Sequence, residues 1–520
     1  MNHHKAGLTF CIISTLVLTE NSFADIFDST PHQLIALHSN KCVDIRAPKN
    51  AGDSAIIQMT CNGEPSQQWK AILLKTDEYQ LVSAENGMCL DVSGASKANG
   101  GLIKQSPCIN SRANQTWFIQ ETANNAYQII SKNSGKCLDV NNASEADNIQ
   151  LQQWDCGLNK NKLWRVEGEL TPSAPIVING KNNITIAHVK ISNPTGPCIL
   201  VKGNSSNITI KDSELGPCKT DTQNRRPDLT HVGAGVFVTG SEGVTVNNVS
   251  IHDTEDAGIT IFYGSRYMVT NNLITKTAGS AIKAQGISNI IIKNNKINTV
   301  GTGIYVASSS NAQVLNNNLA HIQGTPRANF VQFNKVTGAG NRIMCNSGIQ
   351  DAYGTVGSLD SIEDNISLYA SSGTSSDPIL VVGNKVKHGG PSKTGSGIML
   401  GDNGGSNIIA RDNVVVNSGN VGIGVSGGTN IQVINNKLFS VALPITNNAI
   451  PVWNYNMGAV LCDHIMVTGN QVHWMTPYGP ERKVWSNSTC TNTEFNSNVF
   501  MDTNITASIF DTYNSPECKQ

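Results

Sequence analysis

KCVDI (41–45), MCLDV (88–92) and KCLDV (136–140) are three versions of one pentapeptide, spaced 47 and 48 residues apart. Each of their cysteines is followed by another 19 positions on, giving Cys42 and Cys61, Cys89 and Cys108, Cys137 and Cys156. Each copy then closes on a tryptophan, Trp69, Trp117 or Trp164, preceded by QQ, QT and KL in turn. Self-similarity at a fixed period is the mark of an architecture built by repeating one supersecondary unit.

Cysteine, aspartate, cysteine and tryptophan in register three times resemble the ricin-B-type β-trefoil lectins, over residues 31–168. The resemblance implies four short strands per repeat and a shared core around Trp69, Trp117 and Trp164. It also implies within-repeat disulfides, each closing a short loop and stabilising the fold by about 3 kcal/mol. In that family a sugar is held by the aspartate of C-x-D-V, by an aromatic two residues before the second cysteine, and by an Asn-Gln pair opening Q-x-W. A pyranose needs such a set: a flat apolar face for its C–H surface and a carboxylate or amide for neighbouring hydroxyls.

The third repeat matches that pattern best. It has Asp139, Trp154 with Gln152 two residues before it, and Asn161, although Lys162 replaces the glutamine. The second repeat keeps Asp91, Asn114 and Gln115 but has Ser106 in the aromatic slot; the first keeps Asp44 and Gln67 but has Met59 and Ser66. Aspartates also form and cap turns. Trp154 favours sugar binding at the third repeat, because an aromatic in that slot has no core role in the family.

EGELTPSAP (167–175) lacks apolar periodicity and reads as a boundary, with a linker at 169–175. Beyond it, short alternating apolar runs such as NITI (207–210), GITI (258–261) and GIYV (303–306) recur between Gly, Asn and Ser. Asn248, Asn272, Asn295 and Asn317 stand 24, 23 and 22 residues apart, and Asn384, Asn413, Asn436 and Asn470 sit in similar settings. That period, with two or three strands per turn, predicts a parallel β-helix over 176–505, of about eleven coils with an asparagine stack at one corner. A tail, 506–520, follows. The pattern resembles the right-handed parallel β-helices of the pectate-lyase-like superfamily, which implies a fold and not by itself a reaction. The fold class is thus all-β: a β-trefoil plus a right-handed single-stranded parallel β-helix.

Residues 1–24 read as a signal peptide: a weakly basic start at His3, His4 and Lys5, an apolar run over 6–18, and Ser22-Phe23-Ala24 before a cleavage site. Cys11 leaves with it. Twelve cysteines remain, an even number that argues for disulfides in a secreted or periplasmic protein and against a metal site. Cys198 with Cys218 and Cys462 with Cys490 are near neighbours in sequence, while the pairing of Cys345 and Cys518 is open. A net charge of −1 with 14% charged residues gives no electrostatic case for nucleic acid or an anionic membrane as partner. The expected partner is a glycan or polysaccharide.

Carboxylates gather at Asp253, Glu255 and Asp256, at Asp351, Asp360, Glu363 and Asp364, and at Asp402. Gln332, Asn334, Tyr369 and Trp453 fall at outward positions, with Lys335 and Arg327 close by. Glu363, Asp364 and Asp402 suit a glycoside hydrolase, which needs one carboxyl protonated and one ionised. Lys335 or Arg327 with Asp256 suits a lyase, which must remove a proton beside a uronate carboxylate and neutralise that carboxylate; Ca2+ is the cofactor to expect if the protein is a lyase, and the sequence names no other. No polygalacturonase-type series and no acidic calcium-binding trio occurs. The combined reading is a secreted polysaccharide-degrading enzyme, lyase or hydrolase, targeted by its trefoil. The competing reading is a lectin or adhesin with the β-helix as stalk.

Overall fold

The computed structural model describes residues 31–46, 52–75, 77–122, 126–168, 170–324, 328–352, 362–389, 394–457 and 459–518. Residues 1–24 and Cys11 lie outside them. The chain divides into two compact units at Glu169/Leu170.

In the first unit every repeat supplies four strands, in the third repeat Tyr127–Ser131, Cys137–Val140, Ile149–Trp154 and Trp164–Gly168. First and fourth strands pair around a barrel that His32–Ala36 closes against Trp164–Gly168. The second and third strands of each repeat form a hairpin. Trp69, Trp117 and Trp164 are fully buried, and their indole N–H groups donate to the carbonyls of Val43, Leu90 and Leu138 at 3.1–3.2 Å. One contact made three times explains why the tryptophan repeats with C-x-D-V: each indole closes the core and satisfies a strand carbonyl that burial would leave unpaired. Disulfides join Cys42 to Cys61, Cys89 to Cys108 and Cys137 to Cys156.

The second unit is a stack of coils in which each strand pairs in parallel with its counterpart on the next coil. The first of its three ladders runs through Ile178, Val201, Val238, Ile261, Ala284, Val306, Phe333, Leu368, Leu400, Val425, Val452 and Ser486, which makes twelve rungs against the eleven expected. At about 4.8 Å per rung the ladder is roughly 53 Å long. The apolar residues of this series point inward and are buried. Thr171–Ser173 already pairs with Val189–Asn193, so the first strand begins inside the stretch read as linker.

The asparagine stack differs in membership from the expectation. It consists of Asn272, Asn295, Asn317, Asn346, Asn384, Asn413, Asn436, Asn470 and Asn498, each side chain donating to the next at 2.8–3.0 Å. Asn248 stands one position earlier, in the left-handed turn (φ 53°), and buried Val249 takes the inward place. The left-handed slot before each stack member is filled by Asn271, Asn294, Asn316, Cys345, Gly383, Asp412, Asn435, Gly469 and Ser497, seven of which are Asn, Asp or Gly, the types that tolerate positive φ. The doubled NN pairs thus have two separate causes. Asn384 accepts from the backbone and side chain of Asn346 and donates to Asn413 and to the carbonyl of Ile343. Asn384→Ala should cost about 2–4 kcal/mol, by leaving buried donors and acceptors unmet. A shift of the urea midpoint at constant m measures it; a loss below about 1 kcal/mol would count against a cooperative stack.

Cys198–Cys218 and Cys462–Cys490 are disulfides, and Cys345 pairs with Cys518 across 173 residues. On chain-entropy grounds that last bridge contributes about 5 kcal/mol. The segment after 505 is no loose tail: Phe510 packs on Val414, Val416 and Phe439, with Lys385 and Lys387 over its ring. Six disulfides fit an oxidising compartment. Among the described residues no helix is long and apolar enough to cross a membrane.

Candidate functional site

In the third repeat the hairpin register places Asp139 opposite Gln152 and Cys137 opposite Trp154. Gln152 Nε2 donates to Asp139 Oδ2 at 2.8 Å, and Asn161 Nδ2 donates to Oδ1 at 2.6 Å. Each carboxylate oxygen therefore has one protein donor and keeps a lone pair for a ligand hydroxyl. Asp139 is only 2% exposed; burial pushes its carboxyl above the usual range, against the Gln152 bond and the charges of Lys162 and His38. Trp154, by contrast, is 41% exposed.

The Trp154 backbone is clamped beside the Cys137–Cys156 bridge. Asp155, the next residue, exchanges hydrogen bonds with Asn99 at 2.7 and 3.0 Å and pairs with Lys136. Gly100 (φ +81°) lies near enough that a Cβ there would sit 4.0 Å from the Trp154 ring, so the second repeat walls one side. The result is a cavity of about 230 Å³ lined by Asp139, Gln152, Trp154 and Asn161 with Asn142, Ala143, Asn159 and Lys162. That is smaller than a drug-sized pocket of roughly 300–1,000 Å³ and suits a single sugar ring.

The other repeats hold the aspartate the same way but lack the platform. Gln115 and Asn114 donate to Asp91 at 2.8 and 3.1 Å, so these three sequence candidates do meet. Yet Ser106 faces Cys89, and Lys104 occupies the place of Gln152 and pairs with Asp53. In the first repeat Gln67 donates to Asp44, while Met59 and Ile57 fill the two slots. Gln152 thus does for Asp139 what Gln115 does for Asp91, from the facing strand. Asn142 and Asn159 were not among the sequence candidates. Asn142 occupies the left-handed turn position (φ 54°) that Gly94 holds in the second repeat, a signal the alignment of S-G-A with N-N-A carries.

On the β-helix, Asn334, Tyr369 and Asp402 are register neighbours on three successive rungs, an outward row of the first ladder. Tyr305, one rung earlier, accepts from Asn334 Nδ2 at 3.1 Å. Gln332 lies in the adjacent row, and the Trp453 ring lies over Gly424 beside Met399. At the edge of the same ladder Glu363 accepts from Thr394 Oγ1 at 3.0 Å. Asp364, 5% exposed, accepts from the N–H and hydroxyl of Ser396 at 3.1 and 2.6 Å. Burial raises its carboxyl to about 7, with the charges of Glu363 and Asp402 adding and the serine bonds opposing. The charges of Glu363 and Asp402 thus both reach Asp364, although Asp402 stands six residues along the strand that begins at Ser396, the register partner of Asp364. Twelve residues separate the strands ending at Ile349 and starting at Ile362, and eight separate Lys387 from Ser396, so the coils lengthen at this edge.

Of the lyase candidates, Asp256 and Lys335 are not brought together. Asp256 precedes the rung of Ile259 and Lys335 follows that of Val331, three rungs or about 14 Å further along and at opposite ends of their strands. Lys335 is exposed in a left-handed turn. Arg327 and Asp360 lie outside the described residues. Among the described residues no group of three or more His, Cys, Asp or Glu side chains is placed to hold a metal ion.

Residues 30–167 match the family model of the ricin-type beta-trefoil lectin domain, and residues 174–340 that of the right handed beta helix region. No match was found among curated proteins. Among solved structures the chain is similar to the designed threefold-symmetric protein ThreeFoil, at 31% identity over 26% of this chain and 96% of that one (TM-score 0.26). It is also similar to an exo-beta-1,3-galactanase from Clostridium thermocellum, 31% identical over 27% of this chain and 30% of that one (TM-score 0.26). A third is the Macrolepiota procera ricin B-like lectin in complex with lactose, 19% identical over 27% of this chain and 95% of that one (TM-score 0.24).

Proposed function

Because the chain joins a ricin-type β-trefoil lectin domain to a right-handed β-helix region, we propose that it is an exported glycan-binding protein that docks a sugar in the third trefoil repeat. The observation that carries this reading is the pairing of buried Asp139 with exposed Trp154, present in that repeat alone of the three. A pyranose stacks its C–H face on Trp154 and donates vicinal hydroxyls to the free lone pairs of Asp139, with Asn142, Asn159 and Asn161 at its rim. Retention of the full chain on immobilised galactosides tests it. Retention competed by free sugar is expected; passage of the wild-type chain through every galactoside, glucoside and aminosugar column would refute it.

A second reading concerns the β-helix, favoured by the cluster of Glu363, Asp364 and Asp402 on the face that carries Asn334, Tyr369 and Trp453. A carboxyl pushed up toward neutrality by burial, with further carboxyl groups on the same edge, is the kind of set that glycoside hydrolysis uses. On this reading the protein degrades a polysaccharide that its trefoil binds, and the tether raises the local substrate concentration. Incubation with plant, algal, host and bacterial polysaccharides, following reducing ends and unsaturated uronates, tests it. New reducing ends absent in Asp364→Asn are expected; their absence with wild type leaves the β-helix as the stalk of a lectin.

A further inference from the structure

Lys162 stands where the second repeat has Gln115, and the two side chains do different work. Gln115 is buried, donating to Asp91 and to the carbonyl of Pro107 at 2.8 and 3.1 Å. In the third repeat Gln152 makes the corresponding donation to Asp139 from the facing strand, so position 162 is released from the cradle. The Lys162 side chain lines the cavity instead, together with Trp154, Asn159 and Asn161. Its charge is felt by Asp139 and Asp155. Neither carboxylate claims it: Asp155 is engaged by Lys136 and Asn99, and both oxygens of Asp139 are engaged by amides. Among the described residues the Lys162 ammonium enters no ion pair or hydrogen bond.

An ammonium offers three donors and no acceptor, and its strongest partner is an anion. Against a neutral sugar it could only donate to a hydroxyl, which the amides around it already do. From this arrangement we infer that the third-repeat site prefers an acidic glycan, one whose ring on Trp154 and Asp139 carries a carboxylate or sulfate that meets Lys162. The inference rests on the proposed lectin site and adds its substrate class.

Calorimetric titration of the full chain with lactose, 3′-sialyllactose and 3′-sulfated lactose tests it, for wild type, Lys162→Gln and Trp154→Ala. Wild type should bind at least one acidic ligand about tenfold tighter than lactose at low salt. The advantage should shrink at 0.5 M salt and vanish in Lys162→Gln, which should bind the acidic ligands no tighter than it binds lactose. The sialyl and sulfated arms separate a carboxylate from a sulfate ester as the anion. Equal affinity for all three ligands in wild type, or a preference that survives in Lys162→Gln, overturns the inference while the lectin site stands. Binding unaffected by Trp154→Ala overturns the site itself.

Discussion

Trp154→Ala weakens sugar binding by about 30- to 150-fold, the effect of removing a central aromatic anchor worth roughly 2–3 kcal/mol. Trp154 is 41% exposed and donates nothing to the core, so the variant keeps its melting temperature. Trp164→Ala gives the opposite pattern: a fully buried indole bonded to the Leu138 carbonyl is lost, at a cost of about 3–5 kcal/mol and a collapse of the barrel. The two tryptophans stand ten residues apart in one repeat, and calorimetry with thermal melts separates their roles. Acidification adds a second signature. A hydroxyl is accepted by the ionised form of Asp139, whose pKa burial raises. Affinity should therefore fall as pH drops, beginning above the range where an ordinary aspartate takes up its proton. Binding that stays level down to pH 3 would show that Asp139 does not touch the sugar.

How much of this was legible in the chain follows from the range of the interactions involved. The trefoil could be read because its determinants recur: the same indole-to-carbonyl bond needs the same spacing three times. The asparagine stack was visible where coils are regular and lost where they lengthen. Asn346 lies 29 residues after Asn317 and 38 before Asn384, and a search at a period of 22–24 passes over it. Asn248 was misplaced by one position because the turn slot and the stack slot both accept asparagine, and only backbone sign distinguishes them. Gln152 was picked out by its distance from Trp154, but its function comes from a strand register that one sequence cannot state. The Cys345–Cys518 bridge and the docking of Phe510 join elements far apart in the chain, which no local pattern encodes. The carboxylates divide in the same way. Asp364 and Asp402 fall on adjacent rungs, near enough for the Asp402 charge to act on Asp364, whereas Asp256 and Lys335 end up three rungs apart.

Asp364→Asn is expected to stabilise the β-helix at pH 8 by up to on the order of 4 kcal/mol. The sign follows from linkage. Unfolded, this aspartate titrates near 3.8; folded, near 7. Below about pH 4 both states hold the proton and the group is neutral in the balance. Between pH 4 and 7 the unfolded chain has released it while the native state keeps it, so stability declines as pH rises, and above 7 the deficit is constant. An asparagine carries no charge to desolvate. Its carbonyl accepts from Ser396 as Asp364 does now. Urea unfolding of wild type and variant at pH 4 and pH 8 measures the difference: near zero at the lower pH and large at the higher, with wild type showing the slope that the variant lacks. Parallel pH profiles would mean that Asp364 is not the group that titrates. A fold that keeps a destabilising buried acid where a neutral isostere would serve retains a cost that selection for stability alone removes. If the same substitution also ends the release of reducing ends from a polysaccharide, the cost is explained as the proton donor of the cleavage step, since stabilisation with loss of activity is the behaviour of a catalytic acid and not of a structural cap.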